Sequence, residues 1–193
     1  MHDHKFGKDR LGNEAKLREY GKKYNFSVSA VEAVYMDNTL ISSTNIRNLI
    51  REGKLNEANK LLGRNYKFTG TVIPGSTRGK LLGFPTANIS TENKNKLIPL
   101  KGVYAVKCQL KGETIYGVMN IGTRPTFEED GKLVIEVHLF DFNREIYGEK
   151  LKIELVRRIR DEVKFNSKEE LIYQIEKDKK MAIQILGSLI NSG

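Results

Sequence analysis

The chain has 193 residues, of which 39% are hydrophobic, and this is enough for a buried core. Its one cysteine, Cys108, excludes an intramolecular disulfide, and no apolar run approaches the length of a membrane helix. The net charge of +9 is spread along the chain, whereas many nucleic-acid binders concentrate it in a basic arm. The N-terminus lacks the apolar core of a signal peptide, so we expect a cytoplasmic protein.

Residues 1–63 are predicted to be rich in helices and poor in strands. Polar caps precede the helical patterns and glycines follow them. The predicted elements are a helix from Asn13 to about Lys22, a strand from Phe26 to Tyr35, a helix from Ser43 or Thr44 to about Gly53, and a helix from Asn56 to Leu62. One strand cannot form a doubly wound sheet, so this part is expected to be an incomplete α/β unit.

Residues 64–193 have the alternating pattern of a mainly β domain. The predicted strands are Tyr66–Ile73, Val103–Leu110, Thr114–Ile121, Leu133–Phe142 and Leu151–Ile159. Short strands without intervening helices favour an antiparallel barrel or sandwich. A capping box at Ser167 and Glu170 then opens a helix. The apolar side of that helix is predicted to be Leu171, Ile172, Ile175, Ala182 and Ile183.

A glycine-rich loop from Gly75 to Gly83 is the best candidate for a ligand site. Glycines let backbone amides approach a ligand closely, and Pro85 favours an extended chain after the loop. In an extended segment Thr86 and Asn88 point the same way, so their oxygens can bind a magnesium ion that also holds phosphates. Composition alone favours a surface turn followed by an edge strand, because glycine and proline occur in loops of every kind. Neither a complete P-loop nor a G-x-G-x-x-G fingerprint is present.

The segment Gly79–Ser90 resembles the nucleotide loop of riboflavin kinases, in which a glycine-rich flap leads into Pro-Thr-Ala-Asn. Further motifs of that family occur in the same order, namely Gly102–Tyr104, Asn120–Phe127, Glu136–Phe142, Tyr147–Gly148 and Arg160–Phe165. The resemblance implies a six-stranded antiparallel Greek-key barrel with a C-terminal helix over residues 64–193. It also implies Mg2+-dependent transfer of the ATP γ-phosphate to the 5′-hydroxyl of riboflavin, giving FMN and ADP.

The resemblance also implies the residues that bind the nucleotide. They are Gly75, Gly79, Lys80, Gly83, Phe84, Pro85, Thr86 and Asn88, with Thr86 and Asn88 as the metal ligands. Lys80 stands where the bacterial proteins often have arginine, so the positive charge is kept but the bidentate fork is lost.

Glu136 is the candidate catalytic base. Alternation along its strand places Glu136 and His138 on the face opposite Ile135 and Val137, where an acid among apolar neighbours has a partner or lies at the mouth of a site. The pattern alone favours a solvated carboxylate, but the residue aligns with the family's catalytic glutamate. His138 is an alternative base, although a hydrogen-bonded structural histidine is the simpler interpretation.

The family places flavin and nucleotide contacts in the loop after the last strand, which implies flavin-binding roles for Arg160 and Glu162. A guanidinium can bind phosphate, and a carboxylate can accept from flavin N–H or ribityl groups. A surface ion pair is the alternative for both residues. Arg124 is a weaker candidate.

Residues 1–63 resemble the last third of a bacterial FMN adenylyltransferase domain, a nucleotidyltransferase. The resemblance rests on Phe6–Arg10 and on Ile41–Arg47, a phosphate motif with Ser42, Ser43, Thr44 and Arg47. Hydroxyls at a helix N-terminus followed by arginine suit an anion, although an ordinary helix cap has the same pattern. The chain contains no His-x-Gly-His motif, so we expect a fragment or shortened form that does not convert FMN and ATP to FAD.

Three functional hypotheses remain open. The first is a riboflavin kinase that belongs, in full length, to a bifunctional FAD synthetase. The second is a barrel that binds flavin without turnover, and the third is an oligonucleotide-binding barrel, which would need aromatic platforms. We expect small-molecule partners, riboflavin and ATP, with no nucleic acid and no membrane, and the sequence leaves the oligomeric state open.

Overall fold

The structure is a computed structural model that describes residues 7, 9, 11–75, 78–91, 93, 95–123 and 133–190. Its chain divides into two compact units, residues 1–45 and 46–193. The elements in chain order are α1 Glu14–Tyr24, β1 Tyr35–Met36, β2 Thr39–Leu40, α2 Ser43–Arg51, α3 Leu55–Leu62, β3 Tyr66–Ile73, α4 Arg78–Leu81, β4 Ala87–Ser90, β5 Gly102–Leu110, β6 Glu113–Thr123, β7 Leu133–Leu139, β8 Lys150–Arg160 and α5 Lys168–Ile190. The predicted division at residues 63 and 64 stays a prediction.

The first unit contains the predicted helix α1 but not the predicted strand. The Asn13 side chain accepts a hydrogen bond from the Lys16 amide, and Asn25 ends α1 in the left-handed conformation. The strand prediction over Phe26–Tyr35 is wrong, because only Tyr35 enters a strand, the two-residue β1 that pairs with β2. Residues 26–34 pair with no strand in the described part of the chain, and without a neighbour their alternation cannot produce a sheet.

Helices α2 and α3 begin and end close to their predicted bounds. Ile50 in α2 is buried, and Leu55, Ala58 and Leu61 form the buried side of α3. Gly63 ends α3 in the left-handed conformation, as glycine does at many helix ends. The α3 helix packs against β3 and β8.

Six strands form a closed antiparallel barrel with the order β3-β4-β7-β6-β5-β8. Five of them confirm the predicted strands to within about three residues at each end. A tight turn at Lys111 and Gly112, both with positive φ, joins β5 to β6. Strand β7 ends at Leu139 rather than Phe142, since Asp141 has a φ of 51° and turns the chain. The predicted Greek-key barrel with a C-terminal helix is confirmed.

Two elements were not predicted as such, and both lie in the candidate ligand loop. The four-residue β4 completes the barrel by pairing with β3 and β7. The one-turn α4 lies within the glycine-rich stretch before it. Four residues give too few alternations for a period to be recognised.

The barrel interior contains the inward side chains of all six strands. Tyr104, Met119, Val137 and Leu155 are completely buried there. Cys108 is also buried, and burial raises the pKa of its thiol to about 12. On these strands the residues between the core positions face outward, and they form the surface on which the candidate site lies.

Helix α5 packs on the outer face of the barrel through Ala182 and Leu186, which contact a cluster around Ala105. The Ser167 hydroxyl accepts from the Glu170 amide, and the Glu170 carboxylate accepts from the Asn166 amide. Ile183 was predicted on the apolar side but is 49% exposed. It is rotated about 100° from Ala182, away from the barrel.

Candidate functional site

A cavity of about 280 Å³ lies beside the outward face of β6 and β7 and extends to α5 and to the loop before β4. Its polar lining includes Gly79, Thr86, Asn120, Glu136, Arg160 and Glu162, and its apolar lining includes Phe84, Val103, Val118, Phe165, Leu171 and Ile175. Six of the predicted site residues therefore meet at one cavity, although they come from three separate stretches of the sequence. Gly75, Lys80, Gly83, Pro85 and Asn88 do not line it.

Glu136 is the central residue of a polar row across three strands. It is directly opposite Asn88 of β4 on one side and Asn120 of β6 on the other. Residues that are directly opposite in a sheet point to the same face, so two amide side chains flank the carboxylate. The neighbouring Ile135 and Val137 are buried in the core, which fixes Glu136 on the outward face.

The predicted metal ligands lie against glycines that have no room for a side chain. A Cβ added to Gly75 would be 1.9 Å from the Asn88 amide nitrogen, and one added to Gly79 would be 3.1 Å from the Thr86 hydroxyl. Asn88 is only 5% exposed, so its amide is enclosed by the loop. Hydroxyl and amide oxygens are hard donors, and this cradle fits a magnesium ion that also takes oxygens from phosphate and water.

The loop between Gly79 and Phe84 is closed by backbone hydrogen bonds. The Gly79 carbonyl accepts from the amides of Leu82, at 3.1 Å, and of Phe84, at 2.9 Å. Lys80 and Gly83 are exposed on this loop. The closed turn presents Gly79 and Phe84 to the cavity and leaves the Lys80 ammonium group at the surface.

His138 connects the same loop to strand β7. Its Nδ1 lies 2.8 Å from the Pro85 carbonyl oxygen, and because a carbonyl only accepts, Nδ1 carries the proton. Phe84 and Phe140 contact the imidazole edge to face, at centroid distances of 5.7 and 5.8 Å. Burial, together with Lys179, lowers the pKa of His138, although the Pro85 carbonyl opposes this. The neutral imidazole is thus favoured.

Arg160 is held by a carboxylate that the sequence analysis did not select. Asp178 of α5 accepts from Arg160 Nε at 2.9 and 3.0 Å and from a terminal nitrogen at 2.7 Å. The Gln174 amide donates to the same carboxylate at 2.8 Å, and the Asp161 carbonyl accepts from the other terminal nitrogen of Arg160. Asp178 is 4% exposed. The sequence does contain a signal for this buried carboxylate, because Asp178 occupies a position on the apolar face of the helix, in the spacing Leu171, Ile175, Asp178, Ala182.

Glu162 folds back over strand β6. A Cβ on Gly122 would be 2.0 Å from a carboxylate oxygen of Glu162 and 3.2 Å from the amide nitrogen of Asn120. The carboxylate is therefore close to the polar row rather than in open solvent. Arg124, the weakest predicted contact, lies outside the described residues, as do Ser76 and Thr77 of the glycine loop.

The residues of the predicted phosphate motif lie at the capped start of α2. The Ser42 hydroxyl accepts from the Asn45 amide at 3.2 Å. Ser43, Thr44 and Arg47 are exposed in α2. Of the other predicted motif in this part, Phe6, Lys8 and Arg10 lie outside the described residues.

The fold and its cavity define the second unit as a small antiparallel barrel with a ligand-sized site on its outer face. Comparison with known proteins identifies its family. The family model described as riboflavin kinase matches residues 62–186, and the one described as FAD synthetase matches residues 2–45. The chain belongs to the riboflavin kinase family, as its motifs predicted.

The bifunctional riboflavin kinase/FMN adenylyltransferase of Listeria monocytogenes is 48% identical over 177 residues, which cover 92% of this chain and 56% of that protein. Its namesake from Haemophilus influenzae is 45% identical over 181 residues, with coverages of 93% and 58%. The chain thus spans a little over half the length of these relatives. A crystal structure of a Streptococcus pneumoniae protein described as a macrolide-efflux protein has a TM-score of 0.81 and 35% identity, covering 94% of this chain and 58% of that one.

Among the described residues, no helix is both long and apolar enough to span a bilayer.

Proposed function

We propose that the barrel is a riboflavin kinase that transfers the γ-phosphate of ATP to the 5′-hydroxyl of riboflavin, giving FMN and ADP. The observation that carries the proposal is the row of Asn88, Glu136 and Asn120, which places a carboxylate beside the candidate metal cradle at the edge of a ligand-sized cavity. Family membership supports the same reaction. Its substrates are small molecules, and the use of ATP fits the cytoplasmic location expected from the sequence.

Glu136 would act on the attacking hydroxyl. Phosphoryl transfer has a loose transition state, so the protein contributes mainly by positioning groups and balancing charge. A carboxylate within hydrogen-bond reach of the riboflavin hydroxyl orients its oxygen toward the phosphorus and accepts its proton. Asn88 and Asn120 flank the carboxylate on the outward face of the barrel.

Thr86 and Asn88 would hold a magnesium ion through their side-chain oxygens. When bound, the ion neutralises phosphate charge and orients the γ-phosphate. Backbone amides of the Gly75–Gly83 loop would bind phosphate oxygens, and the exposed Lys80 would add positive charge near them.

The apolar part of the cavity suits a flat ring system. Val103, Val118 and Phe165 offer hydrophobic contact, while Arg160 and Glu162 add a donor and an acceptor at the edge. Glu162 can accept from a flavin N–H. Asp178 already occupies the Nε side of Arg160, so a ligand would meet the remaining N–H groups of its terminal nitrogens.

The test is to incubate the purified chain with riboflavin, ATP and magnesium and to follow FMN and ADP by chromatography. Equimolar FMN and ADP, formed only when metal is present, are the expected result. Binding of riboflavin without FMN under any divalent metal would instead favour a flavin-binding barrel. Binding of single-stranded oligonucleotides with a steep salt dependence would favour the third hypothesis.

A second activity is proposed only for the longer protein to which this sequence is similar. The match of residues 2–45 to the FAD synthetase family and the bifunctional names of the relatives support conversion of FMN and ATP to FAD by a full-length form. Ser42, Ser43, Thr44 and Arg47 would contact phosphate there. The assay is FAD formation by a chain extended to the length of those relatives.

A further inference from the structure

We propose that His138 is a positioning residue that holds the metal- and nucleotide-binding loop on strand β7 through the Pro85 carbonyl. This inference rests on the proposed function for its kinetic part, while its structural part is tested independently below. The base of the reaction remains Glu136.

The geometry places His138 where the loop joins the barrel. The last backbone pair between β4 and β7 joins Ala87 to Val137. Beyond that pair the hydrogen bond is made by a side chain, because His138, one residue after Val137, donates from Nδ1 to the carbonyl of Pro85, two residues before Ala87, at 2.8 Å. Proline has no N–H, so its residue can pair with the strand only as an acceptor. The His138 side chain therefore continues the hydrogen bonding between β4 and β7 toward the glycine-rich loop.

Both chain neighbours of Pro85 reach the cavity. Thr86, which follows it, is a candidate metal ligand, and Phe84, which precedes it, contacts the His138 ring edge to face. The Phe84 amide also closes the turn onto the Gly79 carbonyl at 2.9 Å. Holding the Pro85 carbonyl thus fixes the Thr86 hydroxyl on one side and the closed turn on the other.

This hydrogen bond engages Nδ1 and leaves the loop dependent on a donor at one defined position. An asparagine at residue 138 can place its amide nitrogen close to the position of Nδ1, whereas leucine offers similar bulk and no donor. A positioning role requires the donor, and a proton-transfer role requires the titrating ring. The two substitutions therefore separate the roles.

The experiment compares His138→Asn, His138→Leu and the control Phe140→Leu, which removes the other aromatic neighbour of the imidazole and keeps the hydrogen bond. For His138→Leu we expect the KM for MgATP to rise about tenfold, with kcat within about threefold and the KM for riboflavin little changed. A loop that is less often in its binding conformation loses apparent affinity in this way. For His138→Asn all three constants should stay within about threefold of the wild type.

A readout without turnover accompanies the kinetics. Hydrogen exchange of the amides in residues 79–90 should accelerate in His138→Leu and stay at the wild-type rate in His138→Asn and Phe140→Leu. Unchanged exchange in His138→Leu would overturn the proposal even if the wild type makes no FMN. A kcat reduced 100-fold or more in His138→Asn would also overturn it, since that result identifies the imidazole as the base.

Discussion

Replacing Asp178 by asparagine should destabilise the barrel unit strongly, although the exchange is nearly isosteric. The carboxylate is 4% exposed and accepts three hydrogen bonds from Arg160 and one from Gln174. Removing one partner of a buried ion pair costs about 3–5 kcal/mol, because the other charge is left buried without compensation. The Arg160 side chain is still 21% exposed, so we expect the lower end, about 3 kcal/mol. For a chain of this length, this corresponds to a fall in Tm of about 6–12 °C.

Urea unfolding and thermal unfolding of purified variants, followed by far-ultraviolet circular dichroism, measure this cost. The matched control is Glu176→Gln, an exposed carboxylate on the same helix, which should change stability by less than about 0.5 kcal/mol. The double variant Asp178→Leu with Arg160→Met removes both charges and should recover most of the loss. A loss below about 1 kcal/mol in Asp178→Asn would refute the reasoning, because it would mean that the pair is solvated.

Three further predictions concern the loop, the core and pH. Gly75→Ala should raise the KM for MgATP by about tenfold or more, because its Cβ would displace the enclosed Asn88 amide. The control Gly187→Ala, whose Cβ meets no neighbouring atom, should leave this KM unchanged. If steady-state kinetics gave the same KM for both variants, the metal cradle would be contradicted. Cys108, with a pKa raised to about 12, should not react with a thiol-specific disulfide reagent at about pH 8 until the chain is unfolded, and fast reaction of the native protein would contradict its burial. The pKa of His138 is lowered by burial, so the stability that its neutral form contributes is present above the unfolded pKa of 6.5 and is lost as the pH falls through the lower folded pKa. Between about pH 7.5 and 5 the wild type should therefore lose more unfolding free energy than His138→Asn. An equal loss in both proteins would contradict the direction of the pKa shift.

The sequence predicts the barrel well because its strands alternate. The buried positions of β7 follow a local period of two, and Lys111–Gly112 marks the hairpin between β5 and β6 by its turn residues. The same period of two predicts that Glu136 and His138 lie on one outward face, as the structure shows. In these strands the local pattern and the tertiary structure require the same arrangement.

Other parts depend on contacts that a single sequence does not contain. Residues 26–34 alternate like a strand but have no partner strand within the described part of the chain, so their propensity has no sheet to join. The four residues of β4 are too short for a period, and only pairing with β3 and β7 defines them. The bond between Asp178 and Arg160 joins residues on different elements, and only the misplaced charge on an apolar helix face indicates it.

The candidate site was predicted by residue type more fully than by geometry. The loop pattern indicated Thr86 and Asn88, the resemblance to riboflavin kinases indicated Glu136, and the barrel places Asn88 and Glu136 directly opposite each other. Neither source assigned a role to Asn120, the second amide beside Glu136, or predicted that His138 binds the Pro85 carbonyl. Both follow from strand register, which is a property of the closed sheet rather than of either strand alone.

The most direct test of the proposed function is single-turnover FMN formation by wild-type and Glu136→Gln protein, combined with the riboflavin Kd from quenching of flavin fluorescence. We expect the wild type to form FMN and the variant to be slower by about 10²–10⁴-fold, the usual contribution of general base catalysis, with the Kd within about threefold. A variant that turns over as fast as the wild type would contradict the role of Glu136. Absence of FMN from the wild type itself, with magnesium and ATP in excess, would contradict the kinase function.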